Sequence, residues 1–230
     1  MKKMRLLLAG KVALKPIDTK LLLRSHMISG LYIVTPDIAD TAMLCRLVSA
    51  AIEGGASVVQ YRNKQASHLL QTQQARALLP ICRQHQVPLI INDSIKICLT
   101  LDADGVHLGA DDGNLSAARA RLGAGKLLGA SCYNRFDLAQ AAQLAGVDYV
   151  AFGACFASST KPEAPVASLD LFKRAQQELH IPSVAIGGIT LENAALAINA
   201  GAGAIAVINA IFSAEDVKST AQQFTQLFIS

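Results

Sequence analysis

Residues 88–112, Pro88-Leu-Ile-Ile-Asn-Asp-Ser-Ile-Lys-Ile-Cys-Leu-Thr-Leu-Asp-Ala-Asp-Gly-Val-His-Leu-Gly-Ala-Asp-Asp112, decide the fold. A short apolar run stops at Asn92-Asp93, a brief helical segment follows, and a turn at residues 102–105 leads into a second run that ends in Asp111-Asp112. Two consecutive parallel strands of this kind deliver carboxylates to one carboxyl-terminal sheet edge, where α/β sheets and barrels place their sites. Asp93 and Asp112 on neighbouring loops would suit a hard cation, since Mg²⁺ takes one or two carboxylates plus substrate oxygens. The competing reading makes Asp93 a helix cap and Asp112 part of a solvated turn. The rest of the chain decides between them.

Outward from this stretch the pattern repeats. Apolar runs at 31–34, 57–61, 89–91, 106–108, 127–130, 149–152, 184–186 and 204–208 alternate with amphipathic segments such as 41–53, 68–85, 115–122, 137–144, 191–200 and 217–228. Strands alternating with helices form parallel βαβ units. Eight such units in about 200 residues predict a closed (β/α)₈ barrel, a TIM barrel, rather than an open doubly wound sheet. The expected organisation is one catalytic domain over residues 30–230, preceded by an extension over residues 1–29.

Apolar residues make up 52% of the 230 and charged residues 17%, enough for a large aliphatic core. No apolar run reaches the ~18 residues of a membrane span, so no membrane is expected. Five scattered cysteines without a C-x-x-C pair read as reduced thiols in the cytoplasm. The net charge of +4 is concentrated at the start: residues 1–29 hold seven of the 21 Lys+Arg and one of the 17 Asp+Glu, which leaves the body at −2. That body is no electrostatic footprint for nucleic acid. The basic start lacks an uninterrupted apolar core and a cleavage site, so it is not read as a signal peptide. It is either a basic arm or a start assigned too early, with Met27 as the natural first residue.

Side chains two apart share a strand face, so Gln60, Arg62 and Lys64 at the end of the second strand would point together. Buried parallel strands are apolar on both faces, and cations here mark the mouth of a pocket for phosphate oxygens. Ser131 ends strand five, and a long loop after strand six carries Ser158-Ser159-Thr160-Lys161, a candidate lid over an anion. Strand seven ends in Gly187-Gly188 and strand eight in Ile208-Asn209, the pair of loops that commonly hold a phosphate monoester in barrels. The sum is a metal-and-cation site beside a neutral backbone cradle at one barrel mouth. Transfer between two phosphorylated small molecules, with Mg-bound diphosphate as leaving group, is the natural inference.

Together, Gly30-Leu-Tyr-Ile-Val-Thr-Pro-Asp37, Val59-Gln-Tyr-Arg-Asn-Lys64, Asn92-Asp93, Gly105-Val-His-Leu-Gly109 with Asp112, Thr160-Lys161-Pro162 and Val184-Ala-Ile-Gly-Gly188-Ile resemble the thiamine phosphate synthases. That family is a (β/α)₈ barrel joining a hydroxymethylpyrimidine diphosphate to a thiazole phosphate. The resemblance implies that Gln60, Tyr61, Arg62, Asn63, Lys64 and Asn92 hold the pyrimidine diphosphate, and that Asp93 and Asp112 bind Mg²⁺. It implies pyrimidine-side contacts for Ser131 and Lys161, and a thiazole phosphate site at Ser158, Ser159, Thr160, Gly188, Ile208 and Asn209. Arg62, Lys64, Lys161 and Ser131 would carry the catalysis: diphosphate leaves first, and the thiazole nitrogen captures a pyrimidine carbocation. A side chain at Gly188 is expected to weaken the thiazole phosphate selectively.

This chain departs from the family pattern at Ser94, where relatives often carry an acid, and at Ala157, Ser158 and Asn209, where Pro, Thr and Ser are usual. His107 is read as lining the pyrimidine pocket or simply packed, while Asp102 and Asp104 belong to a turn. Whether the thiazole carries a carboxylate is left open, as is a homo-oligomer. The rivals are a thiazole tautomerase on the same barrel, which needs no diphosphate grip, and a non-catalytic phosphate-ligand sensor, which would show eroded site residues. Mass spectrometry of the native N-terminus is expected to find Met27 first; a peptide from residues 5–24 would overturn that start.

Overall fold

The computed structural model describes residues 28–109, 112–157 and 167–229. Residues 1–27 of the expected extension over residues 1–29, and the site candidates Ser158, Ser159, Thr160 and Lys161, lie outside the described residues.

Eight parallel strands close into a barrel in sequential order, the last pairing with the first. They are β1 (Gly30–Val34), β2 (Val58–Tyr61), β3 (Leu89–Asn92), β4 (Gly105–Leu108), β5 (Leu127–Tyr133), β6 (Tyr149–Phe152), β7 (Ser183–Ile186) and β8 (Ala204–Val207). The helices among the described residues are α1 (Thr41–Glu53), α2 (His68–Gln84), α3 (Ile95–Leu101), α4 (Leu115–Leu122), α5 (Phe136–Leu144), α6 (Asp170–Glu178), α7 (Ala194–Asn199), α8 (Asn209–Phe212) and α9 (Val217–Gln226). Helix starts are set locally: Asp40, Ser67, Ser94, Asn114 and Asp216 each accept a hydrogen bond from the backbone N–H three residues on.

The alternation of side chains divides the molecule into two apolar compartments. Leu31, Ile33, Val59, Tyr61, Leu89, Ile91, Val106 and Leu128 face the helices and pack with residues such as Leu44, Val48, Leu78 and Phe172. Tyr32, Val34, Val58, Ile90, Leu127, Tyr149, Val184 and Ala204 fill the barrel interior. Two glycines make that filling fit. A Cβ on Gly105 would lie 2.5 Å from the Leu127 carbonyl oxygen, and one on Gly129 would lie 2.1 Å from the Tyr149 ring.

Differences from the sequence reading have local causes. β5 runs three residues past Ala130, through an irregularity between Ser131 and Tyr133. α8 was not expected; it begins at Asn209, so that residue opens a short helix rather than ending a strand. Ile28, assigned to the extension, is fully buried in the interior cluster, so the packed body begins before residue 30.

His107, inward on β4, has 7% of its surface exposed. Burial lowers its pKa from 6.5 to about 4, against an opposing pull from Asp112. The folded chain therefore holds a neutral imidazole where the unfolded chain would bind a proton. This stabilisation is complete above pH 6.5 and is lost as pH falls from 6.5 towards 4, on the order of 3 kcal/mol in all. Thermal unfolding between pH 7 and 4 should show His107→Asn losing less stability than the parent; equal slopes would refute the assignment.

Candidate active site

The mouth is built first from β3 and β4. Ser94, not Asp93, caps α3, its Oγ accepting the Ile97 N–H at 3.2 Å. Asp93 is thereby free of capping and sits at φ 62°, a conformation few non-glycine residues adopt. Its N–H donates to the His107 carbonyl at 2.9 Å, which ties it to β4. Asp112 folds back so that its Oδ2 accepts the Gly109 N–H at 2.7 Å. The Asp93 and Asp112 carboxyls come within hydrogen-bonding reach of each other, and Asp93 is held above the usual carboxylate range, first by burial and then by Asp112. Two apposed carboxylates are a donor set for a hard divalent cation. No group of three or more His, Cys, Asp or Glu side chains gathers in a metal-binding cluster among the described residues. A cation here would complete its shell with water and ligand oxygens, the habit of Mg²⁺.

β2 supplies the opposite charge. Lys64 Nζ stands 3.7 Å from Asp93 Oδ2, and Arg62 and Lys64 both act to lower the Asp93 pKa. The side chains of this pair are 59% and 34% exposed, so the contact adds little stability and leaves the lysine ready for another anion. Arg62 pairs at 3.5 Å with Asp37, whose Oδ1 also accepts the Lys64 N–H at 2.9 Å. Thr35 locks the same segment, its Oγ1 donating to the Arg62 carbonyl and accepting the Arg62 N–H, each at 2.8 Å. A cavity of ≈ 190 Å³ opens between Arg62, Lys64, His68, Gln71, Asn92 and Asp93.

Tyr61 and Asn63 border that cavity but spend their polar atoms elsewhere. The Tyr61 hydroxyl donates to Gln74 Oε1 at 2.8 Å, and Asn63 Nδ2 donates to Gln74 Oε1 and the Ile38 carbonyl. Tyr61 packs in the helix-layer core, and these bonds tie both side chains to Gln74, so they brace the segment that lines the cavity. Asp37 was missed as part of the cationic corner, although it ends a motif quoted for the family.

Inside the barrel, below the carboxylates, lies a polar chain that sequence reasoning missed. Gln60 Nε2 donates to Tyr32 Oη at 2.7 Å, Tyr32 and Tyr149 hydroxyls are 2.9 Å apart, and the Tyr149 hydroxyl is 3.1 Å from His107 Nδ1. His107 Nε2 in turn is 2.9 Å from Ser131 Oγ. Burial pushes both tyrosines' pKa well up, so the chain stays neutral. His107 is therefore not merely packed: it is hydrogen-bonded to Ser131.

On the far side, Gly187 and Gly188 at the end of β7 have φ 98° and 65°. A Cβ on Gly188 would lie 2.5 Å from the Phe156 carbonyl oxygen and 2.7 Å from that of Ala157. Ile208 is half-buried against the interior cluster, and Asn209 is exposed at the start of α8. Burial raises the Cys132 thiol to about 12 and Cys155 to about 11, which argues against thiolate chemistry.

The family model described as thiamine monophosphate synthase matches residues 31–211. The chain belongs to the thiamine monophosphate synthase family. The thiamine-phosphate synthase of Methylobacillus flagellatus is 57% identical over 201 residues, spanning 87% of this chain and 96% of that protein. That of Aromatoleum aromaticum is 50% identical over 199 residues, covering 86% and 96%. Among solved structures, thiamine phosphate pyrophosphorylase from Pyrococcus furiosus superposes with a TM-score of 0.79 at 30% identity, covering 89% of this chain and 96% of its own.

Within this family framework Ser94 has a plain role as the α3 cap. Gly188 is also a steric necessity for the loop after β6. Gly188→Val should displace residues 156–157 and impair handling of both substrates together, with a lowered Tm; a loss confined to one substrate's KM at unchanged Tm would contradict this.

Proposed function

We propose that this chain condenses 4-amino-2-methyl-5-(diphosphooxymethyl)pyrimidine with 4-methyl-5-(2-phosphooxyethyl)thiazole, or its carboxylated form, to thiamine phosphate and diphosphate, with Mg²⁺ as cofactor. The observation that carries this reading is the apposition of Asp93 and Asp112 beside Lys64 and Arg62 at one barrel mouth. Like charges held together need a cation, and the flanking cations need an anion. A magnesium-bound diphosphate answers both demands.

In this reading the side chains position and neutralise. Arg62 and Lys64, joined by Lys161 from the loop after β6, stabilise negative charge growing on the departing diphosphate oxygens. Mg²⁺, when bound, supplies Lewis-acid neutralisation of the same oxygens. The C–O bond breaks with its electron pair leaving on diphosphate, and the thiazole nitrogen lone pair forms the new C–N bond. No side chain need act as nucleophile or general base. Ser131 and Gln60 orient the pyrimidine, while Gly188, Ile208 and Asn209, with Ser158, Ser159 and Thr160, serve the thiazole phosphate. A tautomerase has no use for the Arg62, Lys64, Asp93 and Asp112 grouping, and a ligand sensor would not preserve it. Five free cysteines suit a reducing cytoplasm, and no described helix is long and apolar enough to cross a membrane.

The purified chain, given both substrates, should form thiamine phosphate with Mg²⁺ and none with a chelator. In Asp112→Asn the amide oxygen can still accept the Gly109 N–H, so the fold should hold its Tm while Mg²⁺-dependent turnover falls by roughly 10² or more. Turnover indifferent to chelator, or an unchanged rate in the variant, would remove the metal assignment.

A further inference from the structure

We propose that Tyr32, Tyr149 and His107 are positioning residues, a one-way hydrogen-bond relay that fixes the His107 tautomer and makes the Ser131 hydroxyl a donor towards the barrel mouth. The Gln60 amide sets the direction. Its Nε2 gives a proton to Tyr32 Oη at 2.7 Å, so the Tyr32 proton must go to its remaining partner, Tyr149 Oη, 2.9 Å away. Tyr149 then donates to His107 Nδ1 at 3.1 Å. An imidazole that accepts at Nδ1 carries its proton on Nε2. That proton goes to Ser131 Oγ at 2.9 Å. Ser131 has now accepted, and its own proton is left for a ligand. Because hydrogen bonds in series polarise one another, the relay favours one direction as a unit.

The surroundings are built for this chain. Tyr149 lies across β5 where Gly129 has no side chain; a Cβ there would sit 2.1–2.5 Å from the phenol carbons and oxygen. The Tyr149 ring also packs 6.0 Å from Tyr32 and 5.5 Å from His107, centroid to centroid. No buried side-chain polar atom lacks a partner among the described residues, so the interior tolerates these hydroxyls only because each is matched.

The specificity consequence rests on the pyrimidine reading above. The ligand atom that meets Ser131 must be an acceptor, such as an unprotonated ring nitrogen, and an exocyclic amino group at that point would be refused. An aminopyrimidine can satisfy the site in one orientation and not the flipped one.

The test separates the relay from the function. In uniformly ¹⁵N-labelled protein without substrates, the His107 ring should show a pyridine-type Nδ1 and a pyrrole-type Nε2. The opposite tautomer would overturn the relay whatever the enzyme catalyses, and absence of thiamine phosphate would overturn the functional reading alone. Tyr149→Phe keeps the ring and deletes only the hydroxyl; it should lose the fixed tautomer and lower kcat/KM for the pyrimidine diphosphate roughly tenfold, with KM for the thiazole phosphate unchanged. In a Ser131→Ala background the same change should cost nothing further, since the relay acts through that hydroxyl. Additive losses would mean that Tyr149 only packs, and would sink the proposal.

Discussion

Closing eight parallel strands imposes one constraint on everything else: every second side chain must fit inside a tube with no solvent and no room to spare. At the lower levels the constraint is met by aliphatic residues such as Ile28, Val58, Ile90 and Leu127. Higher up the same inward series delivers Gln60, Asn92, His107 and Ser131. The site is thus the upper end of the core, held by the register that holds the core. Gly105 and Gly129 are the places where larger neighbours, Leu127 and Tyr149, take the space.

Much of this was legible in the residues. The repeat of short apolar runs and amphipathic segments specified the barrel, because a buried parallel strand and its covering helix have different periods. That Asp93, Asp112, Arg62 and Lys64 would gather at one mouth was legible because charge at the end of an apolar run has no packing role. The ties of Tyr61 and Asn63 to Gln74 were not legible, because a motif read as a contiguous block does not show which side chains turn towards the helices. Tyr32 and Tyr149 were invisible as polar residues, since an aromatic in an apolar strand reads as core. Their partners lie 117 positions apart in the chain, and only closure of the barrel brings the hydroxyls together.

The electrostatics divide the site's labour by depth. Near solvent, Asp93, Asp112, Arg62 and Lys64 form loosely paired charges that change partners at little cost when a charged ligand arrives. Deeper, the interior admits only neutral donors and acceptors, and there each atom is committed. On the proposed reading, affinity for phosphate oxygens and discrimination among ring edges would fall to different layers of one wall.

The close approach of Gly188 to the carbonyls of Phe156 and Ala157 has a consequence for engineering this scaffold. Backbone hydrogen bonds from Cys155 and Phe156 to Ile186 and Gly187 join the same two segments, so the turns after β6 and β7 are one moulded piece. A chimera that imports the sixth connection from a relative must import the end of the seventh strand with it. Transplanted singly, either would meet a foreign surface where its own backbone fits to within an atom's radius.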